Sequence, residues 1–273
     1  MKDLFSAQSE HYQEARPRYS NAVLQEILKN VPNRSFAWDC GAGSGQFTQL
    51  LAPYFDAVVA TDISEAQLKQ APYFENVSYQ VQQAEQTTLP AQSIDLITVA
   101  QAIHWFNFDA FYREVCRVLK PDGVLAVVGY GLIQVEDQML HHLIQQVYFE
   151  TLKGYWDAER QYVDEGYRTI PFPLNEISTP QLTLQYQWNA SQLLKYLSTW
   201  SAVGHYRQQK GQHPLLEVAE YLKDRDQEIH VEFPVLLRLG TRPITKKSRV
   251  LGENICWFSS QSSSSLGKKI NMK

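Results

Sequence analysis

The heptapeptide Asp39-Cys40-Gly41-Ala42-Gly43-Ser44-Gly45 constrains this chain more than any other stretch. Apolar Phe36-Ala37-Trp38 precedes it and reads as a buried strand. Phe47, Leu50 and Leu51 follow at the spacing of one helix face. The local order is therefore strand, glycine turn, helix. Glycine has no Cβ and tolerates positive φ, so main chain can approach a ligand closely at such a turn. The helix behind it aims free N–H groups and a positive dipole end at the same crevice. Those requirements suit a nucleotide-like ligand bound at the edge of an open α/β sheet.

The intervals downstream sharpen this. Asp62 ends Ala57-Val58-Val59-Ala60-Thr61, an apolar and partly β-branched strand. In doubly wound sheets an acid about 20 residues after the glycine turn accepts from ribose hydroxyls. The alternative for Asp62 is a helix-capping role, because Ile63-Ser64-Glu65 starts a helix with Ser64 as its N-cap. Val77-Ser78-Tyr79-Gln80-Val81 and Ser93–Val99 read as the third and fourth strands, with Gln83-Ala84-Glu85 between them. Ala100-Gln101-Ala102-Ile103-His104-Trp105-Phe106 lies past the fourth strand, where open sheets place ligand contacts. An amphipathic helix over 107–119 follows, with Phe111, Val115, Val118 and Leu119 on one face. The turn Lys120-Pro121-Asp122-Gly123 and a fifth strand over 124–128 come next.

The glycine spacing departs from the G-x-G-x-x-G of dinucleotide-binding loops. The D-x-G-x-G-x-G pattern at 39–45 resembles motif I of the class I S-adenosylmethionine (SAM)-dependent methyltransferases. With Ala100–Phe106 and Arg117-Val-Leu-Lys-Pro121, it is similar to the methyltransferase type 11 group that includes trans-aconitate methyltransferases. The resemblance covers residues 5–240. It implies an α/β fold with a doubly wound, mostly parallel seven-stranded sheet in the order 3-2-1-4-5-7-6, an inserted helical cap, and SAM as cofactor. It places Gln83 and Ala84 at the adenine, where the family more often has Asp at the first position. The cofactor set is then Asp39, Gly41, Gly43, Gly45, Asp62, Ile63, Gln83, Ala84, Ala100 and Gln101. An enzyme is the expected class. A SAM-fold protein without turnover is the alternative, and a nicotinamide oxidoreductase is disfavoured by the glycine spacing.

The 273 residues suit one domain, with 44% apolar content for a core and 20% charged residues. Net charge is −4 with no basic stripe, so DNA is not an expected partner. The first residues lack an apolar leader core, and no segment reaches 18 uninterrupted apolar residues. No membrane association and a cytoplasmic location are therefore expected, with a monomer or weak homodimer. Cys40, Cys116 and Cys256 show no metal spacing; no metal is expected, and Cys40 and Cys116 read as packing residues.

Residues 1–30 read as an N-terminal helical lid, since the resembling family folds a Tyr/Arg-Pro/Tyr segment over the cofactor. An amphipathic helix packed on the sheet edge is the alternative. The methyltransferase domain then spans 31–240, with helical cap elements at 133–175 and 190–225. Gln181–Trp188 alternates like a strand, residues 191–206 and 215–222 read as helices, and 231–239 as the last strand. The serine-rich 241–273 reads as a disordered tail.

SAM chemistry needs an acceptor placed in line and water excluded, with a base only if the acceptor must lose a proton. His104 is the candidate catalytic group, either as base or hydrogen-bond partner; a packing role beneath Trp105 is the alternative. Candidate acceptor contacts are Tyr12, Arg16, Tyr19, Trp105, Trp156 and Arg160; Arg16, Arg18 and Arg160 are the candidates to clamp an acid, because Arg matches carboxylates bidentately. The expected acceptor is a small molecule, an organic acid methylated on a carboxylate oxygen.

Overall fold

The computed structural model describes residues 15–225 and 227–243. Five strands run parallel: β1 (Phe36–Cys40), β2 (Ala57–Asp62), β3 (Val77–Val81), β4 (Ile94–Ala100) and β5 (Leu119–Tyr130). Three short strands follow, β6 (Gln134–Val135), β7 (Asn175–Ile177) and β8 (Thr183–Trp188), and all pair antiparallel with β9 (Ile229–Thr241). The residues 235–241 of β9 pair antiparallel with β5. The order β3-β2-β1-β4-β5-β9, with β7 and β8 beyond β9, is the expected 3-2-1-4-5-7-6 arrangement with its edge strand broken in two.

Both faces of the central strands are buried, as a parallel sheet requires. Side chains alternate along each strand. Ala37, Val58, Leu96 and Val124 therefore face one core, and Trp38, Val59, Ile97 and Leu125 the other. The first core is covered by helix α1 (Asn21–Leu28), through Val23, Leu24 and Ile27. Two four-residue helices, α2 (Thr48–Leu51) and α3 (Glu65–Leu68), follow β1 and β2. Helix α4 (Phe108–Val118) covers the second core with Phe111, Val115 and Val118 and is capped by Asn107, whose side chain accepts from Ala110 N. The cap region contributes α5 (Gln138–Gln146), a π-helical turn at Val147–Thr151, α6 (Arg160–Asp164), α7 (Ala190–Ser198), α8 (Ser201–Lys210) and α9 (Leu216–Leu222).

Several expectations are corrected. The lid cannot extend to residue 30, because Val23, Leu24, Ile27 and Leu28 on α1 are at most 2% exposed and belong to the core. Only the segment around Arg16–Tyr19 keeps that possibility among the described residues; Tyr12 lies outside them. The helix expected over 191–206 is two helices. Trp200 adopts extended geometry between them and buries its ring against Tyr148 and Trp156, which no local breaker announces. The turn at 120–123 becomes an irregularity inside β5, where register shifts between Ile94 and Leu96. Thr241 is a strand residue paired with Val124 and Asn175, so the tail cannot begin there. The rest of the expected tail from 244 onward lies outside the described residues. Cys40 and Cys116 are buried thiols outside any disulfide, and among the described residues no helix is long and apolar enough to cross a membrane.

Candidate active site

A cavity of about 600 Å³ opens at the carboxyl ends of β1, β2 and β4 and extends under the cap to α6 and α8. That is where an open α/β sheet binds ligands, and the volume is ordinary for a small-molecule site. The glycine turn forms its floor. Gly41, Gly43 and Gly45 all have left-handed backbone, with φ of +71°, +55° and +78°. The turn is pinned to β2, since Gly41 N and Ala42 N both donate to Thr61 O at 2.8 and 2.9 Å. A Cβ on Gly43 would stand 2.7 Å from Gln67 Oε1. Gly41 and Gly43 line the cavity, but Gly45 does not; it packs against Ala71, Pro72 and Tyr79. The helix behind the turn has only four residues before Pro53, so main-chain approach through the glycines, rather than a helix dipole, shapes the floor.

Asp39 is fully buried. Its Oδ2 accepts from Thr48 Oγ1 at 2.6 Å and its Oδ1 from Thr98 Oγ1 at 2.8 Å. Burial raises its pKa to about 6, against the opposing pull of those two hydroxyls. Asp39 thus ties the glycine turn to β4. Asp62 stands in the cavity wall, with Oδ2 accepting from Gly43 N at 2.9 Å and Oδ1 from Ser64 N at 2.8 Å. It therefore shapes the turn as well as presenting acceptor oxygens to the cavity. Ser64 caps α3 as expected, accepting from Gln67 N.

Ile63, Ala84, Ala100 and Gln101 line the cavity. Gln83 does not. It is exposed and bridges to Gln86, while Gln82 and Ala84 face inward. The two-residue alternation of extended chain turns Gln83 away and makes Gln82 the polar residue beside Ala84.

Arg16, Tyr19, His104, Trp105, Trp156 and Arg160 also line the cavity, whereas Arg18 does not. Arg16 Nη2 donates to Thr199 O at 3.1 Å, tying the N-terminal segment to the end of α7. His104 sits on a single turn of 3₁₀ helix after β4. Burial, then the charges of Arg160 and Arg16, lower its pKa to about 3, so it is neutral across the physiological range. Its Nδ1 lies 3.4 Å from Tyr167 Oη.

A chain of contacts assigns the proton on that ring. Gln101 Nε2 donates to Tyr130 O at 3.3 Å, so Gln101 Oε1 is the acceptor for Tyr167 Oη at 3.1 Å. Tyr167 then accepts from His104 Nδ1–H, and the lone pair of His104 is on Nε2. Gln101 and Tyr167 both hold positive φ, +53° and +61°, backbone that costs energy for side chains of their size. No sequence signal marks Tyr167 as a site residue; its ring packs directly on Gly129. A Cβ at Gly129 would lie 2.6 Å from the Tyr167 ring.

Tyr19 is 7% exposed and lines the cavity between Phe47 and Tyr130. Among the described residues its hydroxyl has no hydrogen-bond partner. A buried hydroxyl in that state gains when a ligand supplies an acceptor. Tyr19→Phe is therefore expected to leave the melting temperature unchanged or slightly raised, while weakening cofactor or acceptor binding several-fold. Thermal melts beside calorimetric titration check both parts; a destabilised protein with unaltered binding would contradict it.

These residues fit SAM. The glycine floor has room where a side chain would intrude, and Asp62 at the end of β2 can accept from ribose hydroxyls. Ala84 and Gln82 stand where the next strand ends. The geometry agrees with the comparisons. A methyltransferase domain family matches residues 38–127. A Dictyostelium discoideum protein assigned as a methyltransferase is 34% identical over 253 residues, covering 88% of this chain and 95% of its own. A solved structure assigned as a type II methyltransferase from Anaeromyxobacter dehalogenans is 40% identical, with a TM-score of 0.77, covering 83% of this chain and 97% of its own. A malonyl-[acyl-carrier protein] O-methyltransferase of Methylococcus capsulatus is 36% identical over 117 residues, 40% of this chain and 42% of its own. On the family match and the Dictyostelium and Anaeromyxobacter relatives, each matched over nearly its full length, the chain belongs to the class I SAM-dependent methyltransferases.

Proposed function

We propose that the protein transfers the methyl group of SAM to a small organic acid, on a carboxylate oxygen. The observation that carries this reading is the pair of arginines, Arg16 and Arg160, in the wall that also holds His104. Two guanidinium groups beside a neutral imidazole present N–H donors that suit an anion, with Asp164 pairing to Arg160 only along its Nε edge and Asp157 as the cavity's neighbouring carboxylate. SAM supplies an electrophilic methyl group, so the protein's own work is to hold, orient and dry the acceptor. Arg16 and Arg160 bind the acid, Trp105 and Trp156 exclude water from its apolar part, and Tyr19 offers a hydroxyl donor.

A second reading rests on His104. With its proton on Nδ1, the Nε2 lone pair can accept a hydrogen bond from, and so orient, a hydroxyl or amine carried by the same acid, while a pKa near 3 makes it too weak a base to remove the proton itself. The pH profile separates the two. A carboxylate is already ionised at neutral pH. With His104 near pKa 3 and Asp39 near 6, neither changes charge above pH 7. Carboxylate methylation is then expected to run at a nearly constant rate from pH 7 to 9. A labelled-SAM screen over small acids, amines and phenols, followed by that profile on each acceptor found, checks the proposal. A rate that climbs with pH moves the reacting atom to a protonated group. Turnover of amines but of no acid removes the organic-acid assignment altogether.

A further inference from the structure

We infer that Tyr148 and Asp164 are positioning residues that aim Arg160 at the acceptor, so that its two terminal amino groups form an end-on fork for a carboxylate. The inference rests on the organic-acid reading above. The π-helical turn Val147–Thr151 ends α5 abruptly. Such turns occur mostly as single insertions and are frequent at functional sites. This one carries Tyr148, 2% exposed, into the cap interior between Trp156 and Trp200, with ring centroids 4.4 and 5.2 Å away. Its hydroxyl donates to Asp164 Oδ1 at 2.5 Å. Arg160, one turn earlier on α6, donates through Nε to Tyr148 Oη at 2.7 Å and to Asp164 Oδ1 at 3.2 Å. The guanidinium also lies over the rings of Tyr148 and Trp156, at 5.4 and 5.2 Å.

The group is thus fixed along its Nε edge and its face. Among the described residues, no hydrogen bond takes Nη1 or Nη2 of Arg160, which lines the cavity. A guanidinium has five N–H donors, so the four on the terminal nitrogens remain for a ligand. A carboxylate arriving end-on takes two of them in parallel, the strong geometry for this pair. An i,i+4 Arg–Asp pair on a five-residue helix would be worth little as a stability device. It would also leave the buried Tyr148 hydroxyl unexplained. The electrostatic hold of Arg160 on His104 agrees with a guanidinium turned inward.

The test uses the full chain loaded with S-adenosylhomocysteine and two probe acids, succinate and benzoate, followed by quenching of the cavity tryptophans. Saturable binding is expected for the wild type. Tyr148→Phe, which keeps the ring packing, and Asp164→Asn should each raise the dissociation constant roughly tenfold. Affinity for S-adenosylhomocysteine should stay unchanged, and the melting temperature should fall by a few degrees at most. Arg160→Gln should lose more, and adding Tyr148→Phe to it should cost nothing further, because the hydroxyl acts through the arginine. Wild-type affinity in both Tyr148→Phe and Asp164→Asn overturns the inference alone, as does a full additional loss in the double variant. A wild type that binds neither acid overturns the inference together with the organic-acid reading beneath it.

Discussion

Gly43→Val is expected to abolish measurable binding of SAM and S-adenosylhomocysteine while leaving a folded protein. Three effects act together. A β-branched residue at φ +55° occupies the left-handed region, which costs roughly 1–2 kcal/mol relative to ordinary backbone. Its Cβ meets Gln67 Oε1 at 2.7 Å, a contact that this flexible side chain can relieve by moving. The branching methyls then take up space at the cavity floor, and the turn that carries them is pinned to Thr61 and Asp62 and cannot retreat from a ligand. The fold should therefore lose only a few degrees of melting temperature, whereas the ligand loses its place. Calorimetric titration with S-adenosylhomocysteine, paired with circular dichroism, reads both. A folded variant that binds as the wild type does would remove the cavity floor from the cofactor site.

Asp62→Ala should lower cofactor affinity at least tenfold and, in contrast to a residue that only touches ligand, also lower the stability of the ligand-free protein. The carboxylate accepts from Gly43 N and Ser64 N, two charge-assisted bonds that hold the glycine turn beside α3. Bonds to charged groups contribute about 1.5–3 kcal/mol each. Part of that is recovered by water at a half-buried site, so a net loss of about 1–3 kcal/mol is expected. The ribose contribution adds to the loss of affinity on top of the loosened turn. Melts without ligand and titrations with S-adenosylhomocysteine separate the shares. Reduced stability with unchanged affinity would leave Asp62 as a purely structural brace.

Much of this was legible because local chemistry and tertiary role coincide. The glycines needed left-handed backbone, and Asp62 needed to stand at a strand end; either requirement can be read from neighbouring residues alone. Ser64 caps its helix for the same reason. What stayed hidden depends on distant partners. Gly45 fits the motif but faces Tyr79 and Ala71, and Gln83 holds the expected place in the order but sits out of phase with the strand it follows. Trp200 breaks a helix because Tyr148 and Trp156 receive its ring, from residues some fifty positions away. Tyr167 and Tyr148 reach the site on left-handed or π-helical backbone that no propensity favours. The reach of the lid failed for a simpler reason. Val23, Leu24 and Ile27 form an apolar stripe that suits the sheet better than a hinge, and the aromatic and basic residues just before it belong to a separate segment.

The placement of β9 governs how the protein can be made. This strand is wedged between β5 on one side and β7 and β8 on the other, yet it is the last of them in the chain. Until residue 241 has cleared the ribosome, Val124–Tyr130 is an open, strongly apolar edge, the kind of surface that recruits strands from other molecules. Vectorial synthesis therefore completes the cofactor half early but leaves the sheet unsealed until β9 inserts, a step that pairs residues more than a hundred positions apart. A nascent chain stalled before Ile229 would carry every motif of the glycine turn and still be a client for chaperones.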